Sequence, residues 1–230
     1  MLKIKALLLF LLFPAILFAQ QHYDIILKNG KIIDGTGNPW FYGDVGIVKD
    51  KITSIGDLSK SKADKTIDAT GLIVAPGFID VHTHIEGDEK KTPTADNFIY
   101  DGVTTVITGN CGSSEVDLKK YFKRLDSIKL SVNVGSLIGH NDVRLAVLGE
   151  AAVTPNAAQL KKMQNLVEQA MRDGAIGFST GLIYTPGIYS KTDEVIALAK
   201  AAGKYNGIYT SHMPKESDKI FAAINEAIDV

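Results

Sequence analysis

The chain has 230 residues, of which 45% are hydrophobic, enough for a sizeable core in one large domain or one with a small satellite. Its 25 basic and 26 acidic side chains leave a formal net charge of -1, without the basic stripe that a nucleic-acid footprint needs. No low-complexity segment or short internal repeat interrupts it.

Met1-Leu2-Lys3-Ile4-Lys5 is a basic start, Ala6 to Phe18 is almost wholly apolar, and Ala19-Gln20-Gln21 places a small residue at a cleavage point. That order predicts a secretory signal peptide over residues 1–20 and export to the periplasm or beyond the cell. The apolar run is short for a membrane span and contains Pro14, so no stable membrane anchor is expected after cleavage; an uncleaved anchor is the alternative. Export gives weight to the only cysteine, Cys111, which must have a missing partner, be a free thiol or bind metal.

Residues 21–75 read as short strands and tight turns. Asp24–Leu27 and Lys31–Ile33 flank Asn29-Gly30, a hairpin signal, and Asp44–Val48 and Lys51–Ile55 flank Lys49-Asp50, a second one. With Thr66–Asp68 and Leu72–Val74 they predict a small antiparallel β unit, part of a sandwich.

From residue 76 onward, apolar strands alternate with amphipathic stretches. The predicted strands are Phe78–Ile85, Val103–Thr108, Val132–Ile138, Ala175–Ser179 and Ile208–Ser211. Between them, Asn156–Arg172 repeats Leu160, Met163, Leu166, Val167 and Ala170 at helical spacing, with a start at Thr154-Pro155 and a stop at Gly174. Leu118–Ile128 and Asp193–Lys200 are further helices, and Ser217–Val230 begins another. Repeated strand–helix units imply parallel strands with right-handed crossovers, either a (β/α) barrel or an open doubly wound sheet. No Gly-x-Gly-x-x-Gly run opens a helix after a strand, so dinucleotide binding is not indicated. Metal-binding residue types recur instead at strand C-terminal ends, where barrel enzymes place their sites. Five such strands against the eight of a closed barrel predict an α/β chain holding part of a (β/α)8 barrel, preceded by part of a small sandwich.

The first strand carries Val74-Ala75-Pro76-Gly77-Phe78-Ile79-Asp80-Val81-His82-Thr83-His84. Residues two apart on a strand share a face, so His82 and His84 leave it side by side and could bind one ion. Asp80 shares that face one layer deeper and could orient an imidazole, or could serve as a turn residue. The second strand runs into Gly109-Asn110-Cys111-Gly112, which puts Cys111 at the same end, where a thiolate ligand competes with a buried apolar cysteine. His140 follows the third strand; ligand, substrate contact and structural hydrogen bonder are all open. The fourth leads into a hydroxyl-rich loop, with Ser179 and Tyr184 as substrate-pocket candidates or parts of a plain turn, and with no lysine of the kind that bridges two metals in some barrels. His212 closes the fifth strand. Imidazoles with a thiolate make a nitrogen–sulfur set that suits zinc.

These segments resemble the amidohydrolase superfamily and, more narrowly, the D-aminoacylase (N-acyl-D-amino-acid deacylase) family. The matching pieces are Ala75–His84, Gly102-Val103-Thr104-Thr105-Val106, Gly109-Asn110-Cys111-Gly112, Gly177–Leu182 and Ser211-His212-Met213. The resemblance implies a barrel with a small β-sandwich, and one zinc held tightly by Cys111 and His212. His82 and His84 would serve a second, weaker site, with the thiolate bridging. It implies hydrolysis of N-acyl-D-amino acids to a carboxylate and a free D-amino acid, with the general-base aspartate and a further metal histidine expected beyond residue 230. Family members usually carry an arginine after the His-Met pair, where this chain has Pro214-Lys215, which bears on substrate preference. A cyclic amidase of hydantoinase or dihydroorotase type, and a non-catalytic exported metal-binding fragment, are the competing readings.

Overall fold

A computed structural model describes residues 21–215 and 217–230, so the predicted signal peptide lies outside the described residues. The chain divides into two compact units, one ending at Pro76 and one running from Gly77 to Val230.

The first unit is one mixed sheet. Strands β1 (His22–Ile32), β2 (Phe41–Val48), β3 (Lys51–Gly56) and β4 (Lys62–Asp68) lie in the order β3-β2-β1-β4, and β5 (Ile73–Val74) pairs with the end of β1. The predicted Lys49-Asp50 hairpin joins β2 to β3, with Val48 opposite Lys51 and Lys49 in the left-handed region at φ 57°. The Asn29-Gly30 hairpin does not form. β1 runs straight through it, and the left-handed Asn29 (φ 61°) makes a bulge where the register against β2 shifts. Tertiary packing overrides the turn signal: Asn29 N–H donates to the buried Asp44 at 2.9 Å, and a Cβ on Gly30 would lie 2.6 Å from Val74 Cγ2. The unit is also not purely antiparallel, because β4 and β5 both pair with β1 in parallel.

The second unit alternates strand and helix. β6 (Phe78–Asp80), β7 (Val103–Thr108) and β8 (Asn133–Ser136) form one parallel sheet; β9 (Ile138–Gly139), β10 (Gly177–Gly181) and β11 (Ile208–His212) form another. The predicted third strand is therefore split at Leu137. Its first half bonds to β7 and its second to β10, so one stretch of chain serves both sheets. The predicted first strand is also shorter than expected, since β6 stops at Asp80.

Helices α1 (Asp96–Ile99), α2 (Leu118–Ile128), α3 (His140–Leu148), α4 (Ala157–Arg172), α5 (Thr192–Gly203) and α6 (Ile220–Asp229) complete the unit. α4 starts one residue after Asn156, whose side chain accepts from Gln159 N–H while the Gln159 side chain reaches back to Asn156 N–H. This reciprocal cap, rather than Thr154-Pro155, sets the helix start. The predicted face of α4 is buried at Met163, Val167 and Ala170 against Leu118, Phe178 and Leu198. Full burial of Met163 or Val167 contributes about 2 kcal/mol each. Among the described residues no helix is long and apolar enough to cross a membrane.

Candidate metal centre

β6 ends before the histidine pair, yet the pair still faces one way. Thr83 is buried between the exposed His82 and His84, and both its N–H and its hydroxyl donate to Ile107 O at 2.9 Å. Those bonds pin the segment to β7 and preserve the alternation of burial beyond the strand. The two rings lie 5.5 Å apart, edge to face. Asp80 reaches His82 through its backbone, accepting the His82 N–H at 3.1 Å. It therefore acts as the turn residue that ends the strand.

Cys111 leaves the end of β7 on a loop bent by left-handed backbone at Gly109 (φ 77°), Cys111 (φ 54°) and Gly112 (φ 77°). Glycine is required at 112, because a Cβ there would lie 2.7 Å from Gly181 N. The loop is held on every side. Gly109 N–H donates to Glu86, Gly112 N–H to Ser179 Oγ, Ser114 N–H to Asp142 Oδ2 and Asn141 N–H to Gly112 O, at 2.8–3.0 Å. Ser179 is fully buried and donates onward to Gly109 O, so it braces the cysteine loop and does not line a pocket, which corrects the sequence reading.

The sulfur stands between two imidazoles. Cys111 Sγ lies 3.4 Å from His82 Nε2 and 3.5 Å from His212 Nδ1, and the ligand atoms of His82, His84 and Cys111 all fall within 4.8 Å of one another. A tetrahedral zinc about 2.3 Å from sulfur and about 2.0–2.1 Å from nitrogen separates the two ligand atoms by about 3.6 Å. The separations of 3.4 and 3.5 Å fit that spacing. Burial pushes the Cys111 thiol up. A cation beside the sulfur would reverse the effect, because ligation favours the thiolate. Tyr184, half exposed, packs its ring 5.0 Å from that of His212 and brings its hydroxyl to 3.4 Å from Nδ1. A cleft of roughly 350 Å³ opens beside the cluster, walled by His84, Cys111, Ser113, Asn141, Asp142, Leu145, Tyr184, Thr185 and Pro186.

His140 is not in that cleft. It opens helix α3 with no exposed surface, and its Nε2 lies 2.9 Å from Glu194 Oε1. Arg144, equally buried, donates to both Glu194 oxygens at 2.8 and 2.6 Å. Of the three roles left open for His140, the geometry selects the structural hydrogen bonder. Burial alone would push the Glu194 carboxyl up; the hydrogen bonds and charges of His140 and Arg144 together outweigh it and hold the group below its usual range. Glu194, Arg144, Asn141 and Asp142 escaped the sequence reading. In sequence Glu194 is an ordinary first-turn acid of a helix, and only its partners 50 and 54 positions away make it special.

Fold and cluster define an α/β protein whose parallel strands β6, β7 and β11 lead into imidazole and thiol groups gathered at one point, the arrangement of a metal centre. The chain belongs to the amidohydrolase family, whose profile matches residues 65–224. It is 36% identical to an N-acyl-D-glutamate deacylase and 34% identical to a D-aminoacylase, both from Alcaligenes xylosoxydans xylosoxydans, over 92% of this chain and 48% of each relative. Among solved structures it resembles an N-acyl-D-glutamate deacylase from Bordetella bronchiseptica, complexed with zinc and a phosphonate inhibitor. There the TM-score is 0.88 and the identity 35%, over 91% of this chain and 49% of the other. The chain spans about half the length of the curated relatives it matches.

Proposed function

We propose that the protein is a zinc-dependent hydrolase that cleaves the amide bond of N-acyl-D-amino acids, releasing a carboxylate and a free D-amino acid. The observation that carries this reading is the placement of the Cys111 sulfur between His82 and His212 at the ends of parallel strands. In this reading the second unit is part of a (β/α)8 barrel and the first is part of a small β-sandwich. Cys111 and His212 hold the tight ion, and His82 and His84 form a weaker site that shares the sulfur. Zinc, when bound, supplies Lewis acidity that polarises an acyl carbonyl and makes water a stronger acid. The chain's own groups do the placing: Thr83 fixes the histidine pair, Ser179 and Asn141 fix the thiol, and Tyr184 presents a hydroxyl to the cleft.

The full-length protein, stripped with a chelator and dialysed, is expected to lose turnover of N-acetyl-D-amino acids and to recover it with zinc, while the L-enantiomers stay inert. Failure to hydrolyse any acylated D-residue after zinc loading would sink the reading. The cyclic-amidase alternative has less support, because the fourth strand of the second unit carries no lysine of the kind that bridges two metals in some barrels. We also infer export from the basic and apolar start of the chain. The N-terminal sequence of protein recovered from the native host tests it, since an intact Met1 would count against cleavage.

A further inference from the structure

We propose that Glu194 is a positioning residue for the metal centre, setting the place of the Cys111 sulfur through His140, Arg144 and the first turn of α3. The inference rests on the reading of Cys111 as a ligand and gives the buried trio a part in it.

The relay starts at the head of α5. Glu194 is buried there, and His140 Nε2 and Arg144 Nη1 converge on its Oε1 at 2.9 and 2.8 Å. Arg144 also donates from Nη2 to Val153 O at 2.6 Å, which fixes the guanidinium from a second side. His140 and Arg144 lie one helical turn apart on α3, so one carboxylate holds the start of that helix at two points. Hydrogen bonds fix direction as well as distance. Stability alone does not account for charges buried here, because apolar side chains of similar volume often replace a buried ion pair without loss.

The start of α3 in turn carries the cysteine loop. Asn141, the residue after His140, donates its N–H to Gly112 O at 2.8 Å, and Asp142 Oδ2 accepts Ser114 N–H at 2.8 Å. Gly139 N–H donates to Ser114 Oγ at 2.8 Å. The backbones meet so closely that a Cβ on Gly139 would lie 2.5 Å from the Gly112 carbonyl carbon. His140 reaches the loop by a second route. Its ring stands edge to face 5.9 Å from that of Phe178, and the next residue on β10, Ser179, accepts Gly112 N–H at 3.0 Å. Both backbone polar groups of Gly112, the neighbour of Cys111, are therefore held by residues adjacent in sequence to His140 and Phe178. A shift of α3 by a few tenths of an ångström would reach the sulfur, and a metal site accepts ligand distances within only about 0.2 Å.

The test measures zinc affinity of the full-length protein by competition with a chromophoric chelator, and the thiolate-to-cobalt band of its cobalt form. Both are read at a temperature where near-ultraviolet circular dichroism shows each variant folded. Glu194→Gln removes the charge. Glu194→Asp keeps the charge but draws the carboxylate back by one methylene, and guards against loss of the fold. Each should weaken zinc binding by about tenfold or more and shift the cobalt band. Val167→Ala, a change at a fully buried position in α4, should lower thermal stability and leave both readouts at the wild-type level. Wild-type affinity and band in either folded Glu194 variant, or an equal loss in Val167→Ala, overturns this inference and leaves the metal centre standing. A wild-type protein whose cobalt form lacks the band overturns the reading of Cys111 and this inference with it.

Discussion

If Cys111 ligates a metal as proposed, replacing it with alanine in the full-length protein should strip the ion and reduce the proposed turnover by more than about a hundredfold. Loss of a group that merely orients a ligand typically costs 10–100-fold in metal affinity or activity, so removing the shared ligand itself must cost more. Cys111 is the group that both His82 and His212 approach, at 3.4 and 3.5 Å, and it is the one cysteine among these 230 residues. Cobalt substitution supplies a readout independent of activity: wild type should show a thiolate-to-cobalt charge-transfer band, and the variant should lack it. A variant that retains wild-type zinc content and the cobalt band would remove Cys111 from the centre.

Glu194→Ala should destabilise the protein by about 3–5 kcal/mol at neutral pH, the cost of breaking a buried pair and leaving its partner uncompensated. The change strands the Arg144 guanidinium and the His140 ring, neither of which has exposed surface. Because the folded-state value of the Glu194 carboxyl is depressed, its contribution is fully present above the ordinary carboxylate range. That contribution is lost as pH falls through the depressed value. The gap between wild type and variant in denaturant melts should therefore be widest near neutrality and close in acid. A gap under about 1 kcal/mol at pH 7 would mean that the trio does not bear on stability.

Much of this architecture is readable from local pattern alone. The predicted limits of β7 and α2 coincide with the observed Val103–Thr108 and Leu118–Ile128, because each has clear periodicity and α2 is capped by the Asp117 side chain. Local signals failed where distant residues decide. Asn29-Gly30 carries the strongest short-range turn signal in the first unit, yet Val74 and Asp44 hold it inside a strand. The role of His140 stayed open between ligand, substrate contact and structural hydrogen bonder because a helix that starts directly after a two-residue strand leaves no periodic stretch to announce it. The histidine pair is the opposite case. The strand supposed to carry it stops early, but buried Thr83 keeps the alternation on which the expectation rested.

The break at Leu137 also has a mechanical side. His82 and His84 follow the sheet that ends in β8, whereas His212 ends β11 of the sheet that begins with β9. Cys111 and His212 are 101 positions apart in sequence. An ion gripping both would act as a rivet through two plates joined by one seam. It would close a long loop, the circumstance in which a cross-link restricts the unfolded chain most in theory. Loading the centre would then stiffen the seam itself, so that the same ion serves as reagent and fastener.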